Sequence, residues 1–199
     1  MTELPRPGRC VVMGVLNVTP DSFSDGGCFA DAGTAIVHGL EMHAAGADYV
    51  DVGGESTRPG RTESVPVEEE LRRVTPVVEA LVRSHPDLMI SVDTVKSEVA
   101  QTALEAGAAI VNDVTGFRLD PAMAGVARAA DALVVMHQRP MRADALGDDV
   151  RYTDVVADVR EHLLAVVAHG VAAGVPRERI VVDPGIGFGK SVGDNVRLL

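Results

Sequence analysis

Polar side chains follow short apolar runs at six points along the chain. They are Asn17, then Asp51 with Glu55, then Asp93, then Asn112 with Asp113, then His137, and finally Asp183. Because the carboxyl ends of parallel strands meet at one edge of a sheet, this recurrence predicts one shared site. A buried carboxylate is costly unless paired, so we favour a ligand-facing role for Asp93 and Asp183 over loop capping. With the amide of Asn112, they suit a flat, polar heterocycle that carries ring N–H and amino groups.

Other side chains near these ends admit more than one role. Asn17 can cap its own loop, or its neutral oxygen can bind Mg²⁺ when phosphates and water supply the remaining ligands. His137 can equally be a ligand or a buried structural histidine. Lys190 can reach phosphate or solvent, and we favour solvent, whereas Arg58 lies among backbone amides and hydroxyls and is the better anion contact.

The elements that position these residues alternate between strand and helix. The β-branched run before Asp183 predicts a strand buried on both faces, and the glycines after it let backbone approach a ligand closely. Predicted strands comprise residues 10–16, 48–52, 89–92, 109–111, 132–136 and 180–182. Predicted helices comprise residues 32–45, a segment from 66 with an apolar stripe to 81, a short segment before 107, 121–130, 153–173 and a segment from 192.

Six such βα units favour either a doubly wound α/β sheet or a (β/α)8 TIM barrel that lacks its last two units. We expect the barrel, because nearly every strand end carries a polar residue, as a ring of strands would require. Residues 1–199 are predicted to form one domain of this kind. Six eighths of a barrel would leave the first and sixth strands with unpaired edges, so we expect the chain to be C-terminally incomplete.

Composition restricts the class of partner. The chain has 199 residues, 46% of them hydrophobic, which is enough to bury a substantial core. A net charge of -11 disfavours nucleic acid and membrane surfaces as partners. Two cysteines without metal-ligand spacing, and no apolar run of the roughly 20 residues needed to span a bilayer, predict a cytoplasmic protein.

Six motifs in the chain resemble those of the dihydropteroate synthases of folate biosynthesis, in the same order and at similar spacing. They are NVTPDSFSDGG, DVGGESTRPG, SVDT, VNDVTG, a strand-ending MH and DPGIGFGK, and they cover about residues 11–195. The resemblance implies a transferase that condenses 6-hydroxymethyl-7,8-dihydropterin diphosphate with para-aminobenzoate, giving 7,8-dihydropteroate and diphosphate. It also implies Mg²⁺ as cofactor, inhibition by sulfonamides, which resemble para-aminobenzoate, and a homodimer when the protein is complete.

The same resemblance assigns roles to particular residues. Asp93, Asn112 and Asp183 match the family's pterin-binding positions, and Asp93 is the carboxylate expected to stabilise the pterin cation as diphosphate leaves. Asn17 matches the position associated with Mg²⁺ and diphosphate. Two loops order over the substrates in the family, and the matching residues are Pro20, Asp21 and Phe23 in the first loop and Thr57, Arg58 and Pro59 in the second. Phe23, Thr57 and Pro59 are the expected sulfonamide contacts.

The chain also departs from the family pattern. The family continues with a Ser-Arg-Lys type motif, whose lysine contacts the pterin, and with an Arg-x-His motif that binds diphosphate. Neither is in the printed sequence, and Lys190 does not match that lysine. The activity of residues 1–199 alone is therefore open. So are two alternatives, namely a methyltetrahydrofolate-binding methyltransferase barrel, against which the first two motifs argue, and a non-catalytic paralogue that binds pterin.

Overall fold

The computed structural model describes residues 9–19, 28–55, 64–138 and 152–199, with side chains in the second range from residue 32 onward. Strands and helices alternate through these ranges. The strands are β1 (Met13–Asn17), β2 (Tyr49–Gly53), β3 (Met89–Asp93), β4 (Ile110–Asp113), β5 (Ala132–Met136) and β6 (Ile180–Asp183). The helices are α1 (Cys28–Ala44), α2 (Val67–Ser84), α3 (Ser97–Glu105), α4 (Met123–Val126), α5 (Val155–Ala172) and α6 (Val192–Leu198), with 3₁₀ turns at Ala127–Ala129 and Arg177–Arg179.

The strands form one sheet in the order β1-β2-β3-β4-β5-β6. Each neighbouring pair is parallel. A doubly wound sheet reverses its strand order at a switch point, whereas a barrel adds each strand beside the previous one. The sequential order therefore confirms the α/β prediction and favours the barrel over the doubly wound alternative among the described strands.

The two faces of the sheet bury different apolar layers, because successive side chains of a strand point to opposite faces. On the outer face, Val50 and Val52 belong to the same core as Val74 and Val78 of α2. On the inner face, Tyr49, Ile110 and Ala132, each the first residue of its strand, form a smaller cluster. The inner face is thus apolar at the amino ends of the strands, which leaves its carboxyl ends to polar side chains.

Glycines follow three of the helices, each directly after an alanine. Gly46, Gly107 and Gly174 follow α1, α3 and α5 with φ of 105°, 107° and 98°. In this left-handed region an L side chain is disfavoured, so glycine is the residue that turns the chain from each helix into the next strand. No helix in the described ranges has the length and apolar composition needed to cross a membrane.

Four predicted elements differ from the observed ones, the first being β1, which begins at Met13 instead of residue 10. α1 begins at Cys28 instead of residue 32, and the predicted helix over residues 121–130 is reduced to α4 and a 3₁₀ turn. That helix stops because Ala130 adopts an extended conformation, with ψ of 150°, to enter β5. β6 is a strand as predicted, but the prediction that it is buried on both faces is wrong.

The exposure of β6 follows from its place in the sheet. Val181 and Val182 are 43% and 48% exposed. β6 pairs with β5 on one side, and no strand in the described ranges pairs with its other side. Val15 of β1, at the opposite edge, is 61% exposed. The β-branched run therefore indicates strand propensity correctly, while coverage depends on neighbours that the run cannot specify.

Candidate functional site

Four residues at the carboxyl ends of β1 to β4 form one row across the sheet. Asn17 is in register with Gly53, Gly53 with Asp93, and Asp93 with Asn112. A Cβ added at Gly53 would lie 3.4 Å from Oδ2 of Asp93, so the glycine leaves the carboxylate without a side chain pressed against it. Asp93 is buried, and Asn17 and Asn112 are half-buried. The structure thus brings Asn17, Asp93 and Asn112 together at the carboxyl ends of the strands, as predicted.

Asp183 also lies at the carboxyl ends of the strands, at the end of β6, the last strand of the described sheet. Asn112 is in register with Val134, and Val134 with Val181. Asp183 lies two residues beyond Val181, on the same face of β6 and one layer nearer the carboxyl ends. Its Oδ1 accepts a hydrogen bond of 2.7 Å from the backbone N–H of Gly185. That bond leaves Oδ2 as the oxygen with which this carboxylate can meet a ligand.

A second buried carboxylate, Asp51, lies one layer below the row. It precedes Gly53 by two residues and is in register with Ser91 of β3. The Nδ2 amide of Asn112 donates to Oδ2 of Asp51 at 2.8 Å. Burial raises the pKa of Asp51, and the hydrogen bond from Asn112 opposes that rise. Sequence reasoning noticed this residue but gave it no role; the signal was the two-residue spacing between Asp51 and Gly53.

Two other strand-end carboxylates have structural roles. Asp113 faces away from Asn112 and is 1% exposed. It accepts hydrogen bonds of 2.8 Å from the backbone N–H and the hydroxyl of Thr115, and one of 2.7 Å from the backbone N–H of Phe117. Glu55 pairs with Lys96, which also pairs with the buried Glu70 of α2. Both carboxylates are therefore engaged in building the loops beside the site.

His137 directly follows β5, and its side chain packs between β5 and α5. It is 2% exposed, and its ring meets that of His162 edge to face, with the ring centres 4.9 Å apart. Burial, helped by the charge of Lys190, lowers the pKa of His137 to about 4. The imidazole is therefore neutral near pH 7, and the structural role left open by the sequence fits its position.

Lys190 does not face solvent, so that prediction is wrong. The residue is 8% exposed, and its ammonium donates to the backbone carbonyls of His137, Gly185 and Phe188 at 3.1, 2.8 and 3.2 Å. The turn after β6 supplies two of these acceptors, and the carbonyl of His137, which directly follows β5, supplies the third. A pattern of glycines followed by lysine does not reveal such a turn, because its acceptors are backbone atoms that any sequence provides.

The two predicted loops start beside Asn17 and Gly53. Val18, just after β1, donates from its backbone N–H to the carbonyl of Gly53 at 2.8 Å, so the two loop origins are tied together. The residues predicted to contact substrates and sulfonamides lie outside the described residues. They are Pro20, Asp21 and Phe23 in the first loop and Thr57, Arg58 and Pro59 in the second.

Comparison with known proteins identifies the family to which this chain belongs. Residues 13–199 match the sequence profile of the family described as "Pterin binding enzyme". The chain is 52% identical to a dihydropteroate synthase of Mycobacterium leprae over 94% of its length and 66% of that protein. Among solved structures, it is similar to Xanthomonas albilineans dihydropteroate synthase with 4-aminobenzoic acid, at 48% identity and a TM-score of 0.85, covering 96% of this chain and 66% of the other.

A Yersinia pestis dihydropteroate synthase in complex with a sulfonamide drug is also similar, at 40% identity and a TM-score of 0.85, covering 96% of this chain and 68% of the other. The chain thus spans about two thirds of the length of these relatives. Its six parallel βα units correspond to the barrel of these enzymes, which confirms the predicted fold class. The profile match, the identity and the shared fold agree, and the chain belongs to the pterin-binding enzyme family.

Proposed function

We propose that this chain provides the pterin-binding part of a dihydropteroate synthase. The observation that carries the proposal is the inner edge of the sheet, where Asp93, Asn112 and Asp183 converge at the carboxyl ends of β3, β4 and β6. The relatives that share this chain's sequence and fold are dihydropteroate synthases. The reaction joins 6-hydroxymethyl-7,8-dihydropterin diphosphate to para-aminobenzoate and releases diphosphate.

Recognition of the pterin follows from the hydrogen-bonding groups at this edge. The carboxylates of Asp93 and Asp183 are acceptors, and the pterin offers ring N–H and amino donors that match them. Asn112 already donates one amide hydrogen to Asp51, so its carbonyl oxygen and second hydrogen are the groups it can offer to a ligand. The ring would then be read along its polar edge while apolar side chains flank its faces.

The chemical step depends on charge at the exocyclic methylene. The bond from this carbon to the diphosphate oxygen breaks with its electron pair, and positive charge spreads into the pterin ring. The carboxylate of Asp93, buried among strand ends, stabilises that charge as it develops. The amine of para-aminobenzoate then forms the new carbon–nitrogen bond and gives up one proton, and 7,8-dihydropteroate results.

Mg²⁺ belongs to the proposal through Asn17. In the described ranges no group of three or more His, Cys, Asp or Glu side chains is arranged to hold a metal. Asn17 offers a single neutral oxygen, which fits a Mg²⁺ ion that takes its other ligands from diphosphate and water. When bound, the ion would neutralise charge on the departing diphosphate.

The two loops complete the proposed active site. Pro20, Asp21 and Arg58 are proposed to close over diphosphate and para-aminobenzoate, and Phe23, Thr57 and Pro59 to contact sulfonamides. Support comes from the origin of both loops at the row of strand ends and from the sulfonamide complex of the Yersinia pestis relative. A cytoplasmic homodimer that binds neither nucleic acid nor membranes is also part of the proposal. Composition supports the localisation and the excluded partners, and the family resemblance supports the dimer.

A single assay tests this function. The purified protein, as its gene encodes it, is supplied with the dihydropterin diphosphate and Mg²⁺, with or without para-aminobenzoate. We expect 7,8-dihydropteroate and diphosphate in equal amounts, and diphosphate release that depends on para-aminobenzoate. Pterin binding without any product would favour the non-catalytic alternative, and transfer of a methyl group from methyltetrahydrofolate would favour the methyltransferase.

A further inference from the structure

Lys190 is a buried cation for which the proposed reaction has no use. Its three ammonium hydrogens match the three backbone carbonyls of His137, Gly185 and Phe188. Burial costs the charged form enough to lower the pKa of Lys190 to about 8. A cation kept in such a place at a cost has a structural task, and the atoms it contacts show what that task is.

The carbonyls bound by Lys190 come from two neighbouring loops. His137 directly follows β5, whereas Gly185 and Phe188 belong to the turn after β6. The two loops touch through backbone: a Cβ added at Gly185, whose φ is 68°, would lie 2.1 Å from the carbonyl oxygen of His137. Glycine permits this approach, and the ammonium donates to one carbonyl from each loop there.

Both loops hold Asp183. The backbone N–H of Gly185 donates to Oδ1 of Asp183 at 2.7 Å, which fixes the carboxylate. The backbone N–H of His137 donates to the carbonyl of Asp183 at 3.0 Å, which fixes the main chain. Lys190 therefore binds the carbonyl of each residue whose N–H holds Asp183.

We propose that Lys190 is a positioning residue that orients the carboxylate of Asp183 for pterin recognition. The inference rests on the proposed function, because it takes Asp183 to be a pterin contact. Without the ammonium, the carbonyls of His137 and Gly185 would lose the donor that they share. The turn would shift, and Gly185 N–H would no longer hold Oδ1 of Asp183 in one orientation.

A double-mutant cycle separates positioning from general support of the fold. Lys190→Met keeps the aliphatic stem and removes all three donors, and Asp183→Asn changes the group that Lys190 is proposed to orient. The dissociation constant of 6-hydroxymethyl-7,8-dihydropterin diphosphate is measured by calorimetry, without para-aminobenzoate. We expect K190M to weaken binding about tenfold in the wild-type background and less than twofold in the D183N background. An equal loss in both backgrounds would overturn the inference.

A matched control lies in the same turn. Tyr152 donates from its hydroxyl to the carbonyl of Gly189 at 3.2 Å, and its ring centre lies 6.2 Å from that of His137, a contact that phenylalanine keeps. Tyr152→Phe removes one hydrogen bond from the turn and is expected to leave the dissociation constant within twofold. If Y152F weakens binding as much as K190M does, the turn matters as a whole, and a special role of Lys190 is refuted.

Hydrogen exchange at the Gly185 amide tests, without any ligand, whether Lys190 holds the hydrogen bond from Gly185 to Asp183. We expect K190M to exchange this amide at least tenfold faster than the wild-type protein, with the strand amides of β3 unchanged. Native protection in K190M would overturn the inference even if the wild type binds pterin. A wild type that binds no pterin would refute the proposed function. The exchange rate of the Gly185 amide would still show whether Lys190 positions Asp183. If K190M does not fold, Lys190→Gln, which keeps two N–H donors, is measured with the same expectations at smaller size.

Discussion

Neighbouring residues of β4 have opposite roles because strand side chains alternate between faces. Asn112 faces the inner side, where its amide donates to Asp51. Asp113 faces the outer side and is saturated by hydrogen bonds from Thr115 and Phe117. A polar residue at a strand end is therefore a candidate ligand group only if it lies on the inner face, and Asp93 meets that condition.

The first prediction compares Asp93 and Asp113 through the same substitution. Asp93→Asn removes the negative charge proposed to stabilise the pterin cation, so we expect turnover to fall by about 10²-fold or more. Asp113→Asn replaces an acceptor of backbone N–H groups with an amide, so we expect the free energy of unfolding to fall by about 2 kcal/mol. Steady-state kinetics and urea denaturation of both variants give the two measurements.

The two variants act as controls for each other. D93N is expected to unfold within about 1 kcal/mol of the wild type, because Asp93 lies at a ligand-facing edge. D113N is expected to keep its turnover per folded molecule. A D93N variant with normal turnover would remove Asp93 from the mechanism.

At the scale of elements, a charged cluster joins α2 to the starts of two loops. Lys96, in the loop after β3, pairs with Glu55 at the start of the second loop and with Glu70 of α2. Glu70 is 1% exposed and also accepts a hydrogen bond of 2.6 Å from the hydroxyl of Thr94. Arg73 of α2 donates to the carbonyl of Gly54 at 2.8 Å. The helix therefore fixes the second loop at its origin.

The second prediction follows from burial of this cluster. Removing one partner of a buried ion pair leaves the other charge uncompensated, so Lys96→Met is expected to cost roughly 3–5 kcal/mol of unfolding free energy. The exposed pair of Arg83 and Glu79, with nitrogen and oxygen 3.8 Å apart, is the matched control. Arg83→Met is expected to change stability by less than about 0.5 kcal/mol. Urea denaturation compares them, and equal effects would refute the structural importance of the cluster.

The third prediction concerns acid and the contact between β5 and α5. His137 has a pKa of about 4 in the folded protein and about 6.5 when unfolded, so the unfolded state binds more protons between these values. The contribution of His137 to the free energy of unfolding is therefore complete above pH 6.5 and is lost as the pH falls towards 4. From pH 7 to pH 5 this residue alone should remove roughly 2 kcal/mol of unfolding free energy. Burial also lowers the pKa of His162, which acts in the same direction.

Denaturation at pH 7 and pH 5 measures that loss. His137→Asn cannot titrate in this range, so its stability should change less between the two pH values than that of the wild type, by roughly 2 kcal/mol. An H137N variant with the wild-type pH dependence would show that His137 is not the responsible group.

Local patterns predicted most of the elements, because strand propensity, apolar stripes and terminal glycines act within a few residues. They also predicted the edge where Asp93, Asn112 and Asp183 meet, since all parallel strands end on one side. The exposure of Val181 depends on which strands pair beside β6, and the environment of Lys190 depends on backbone acceptors. Residue types encode neither of these. The role of Asp51 became visible only once Asn112 was placed opposite it.

For the whole molecule, the described sheet has two edges. β1 and β6 each pair on one side, and Val15, Val181 and Val182 are exposed along them. Unpaired strand edges with apolar side chains favour pairing with another chain. That residues 1–199 form one domain stays a prediction, but the exposed edges have a consequence for the behaviour of these 199 residues in solution.

The last prediction is that the 199-residue chain self-associates through β6. A net charge of -11 opposes association, but at about 0.15 M salt the Debye length is about 8 Å, which weakens this repulsion while the strand edge remains available. Charges on an edge strand block pairing, so V181K/V182K should weaken association at least tenfold in sedimentation equilibrium. The control V37K/V171K adds the same charge at exposed valines of α1 and α5 and should change association less than threefold. Both pairs of lysines make the chain less negative, which by itself favours association, so equal weakening by both pairs would show that the effect is not specific to β6. A wild-type chain that stays monomeric at 100 µM would refute the edge mechanism.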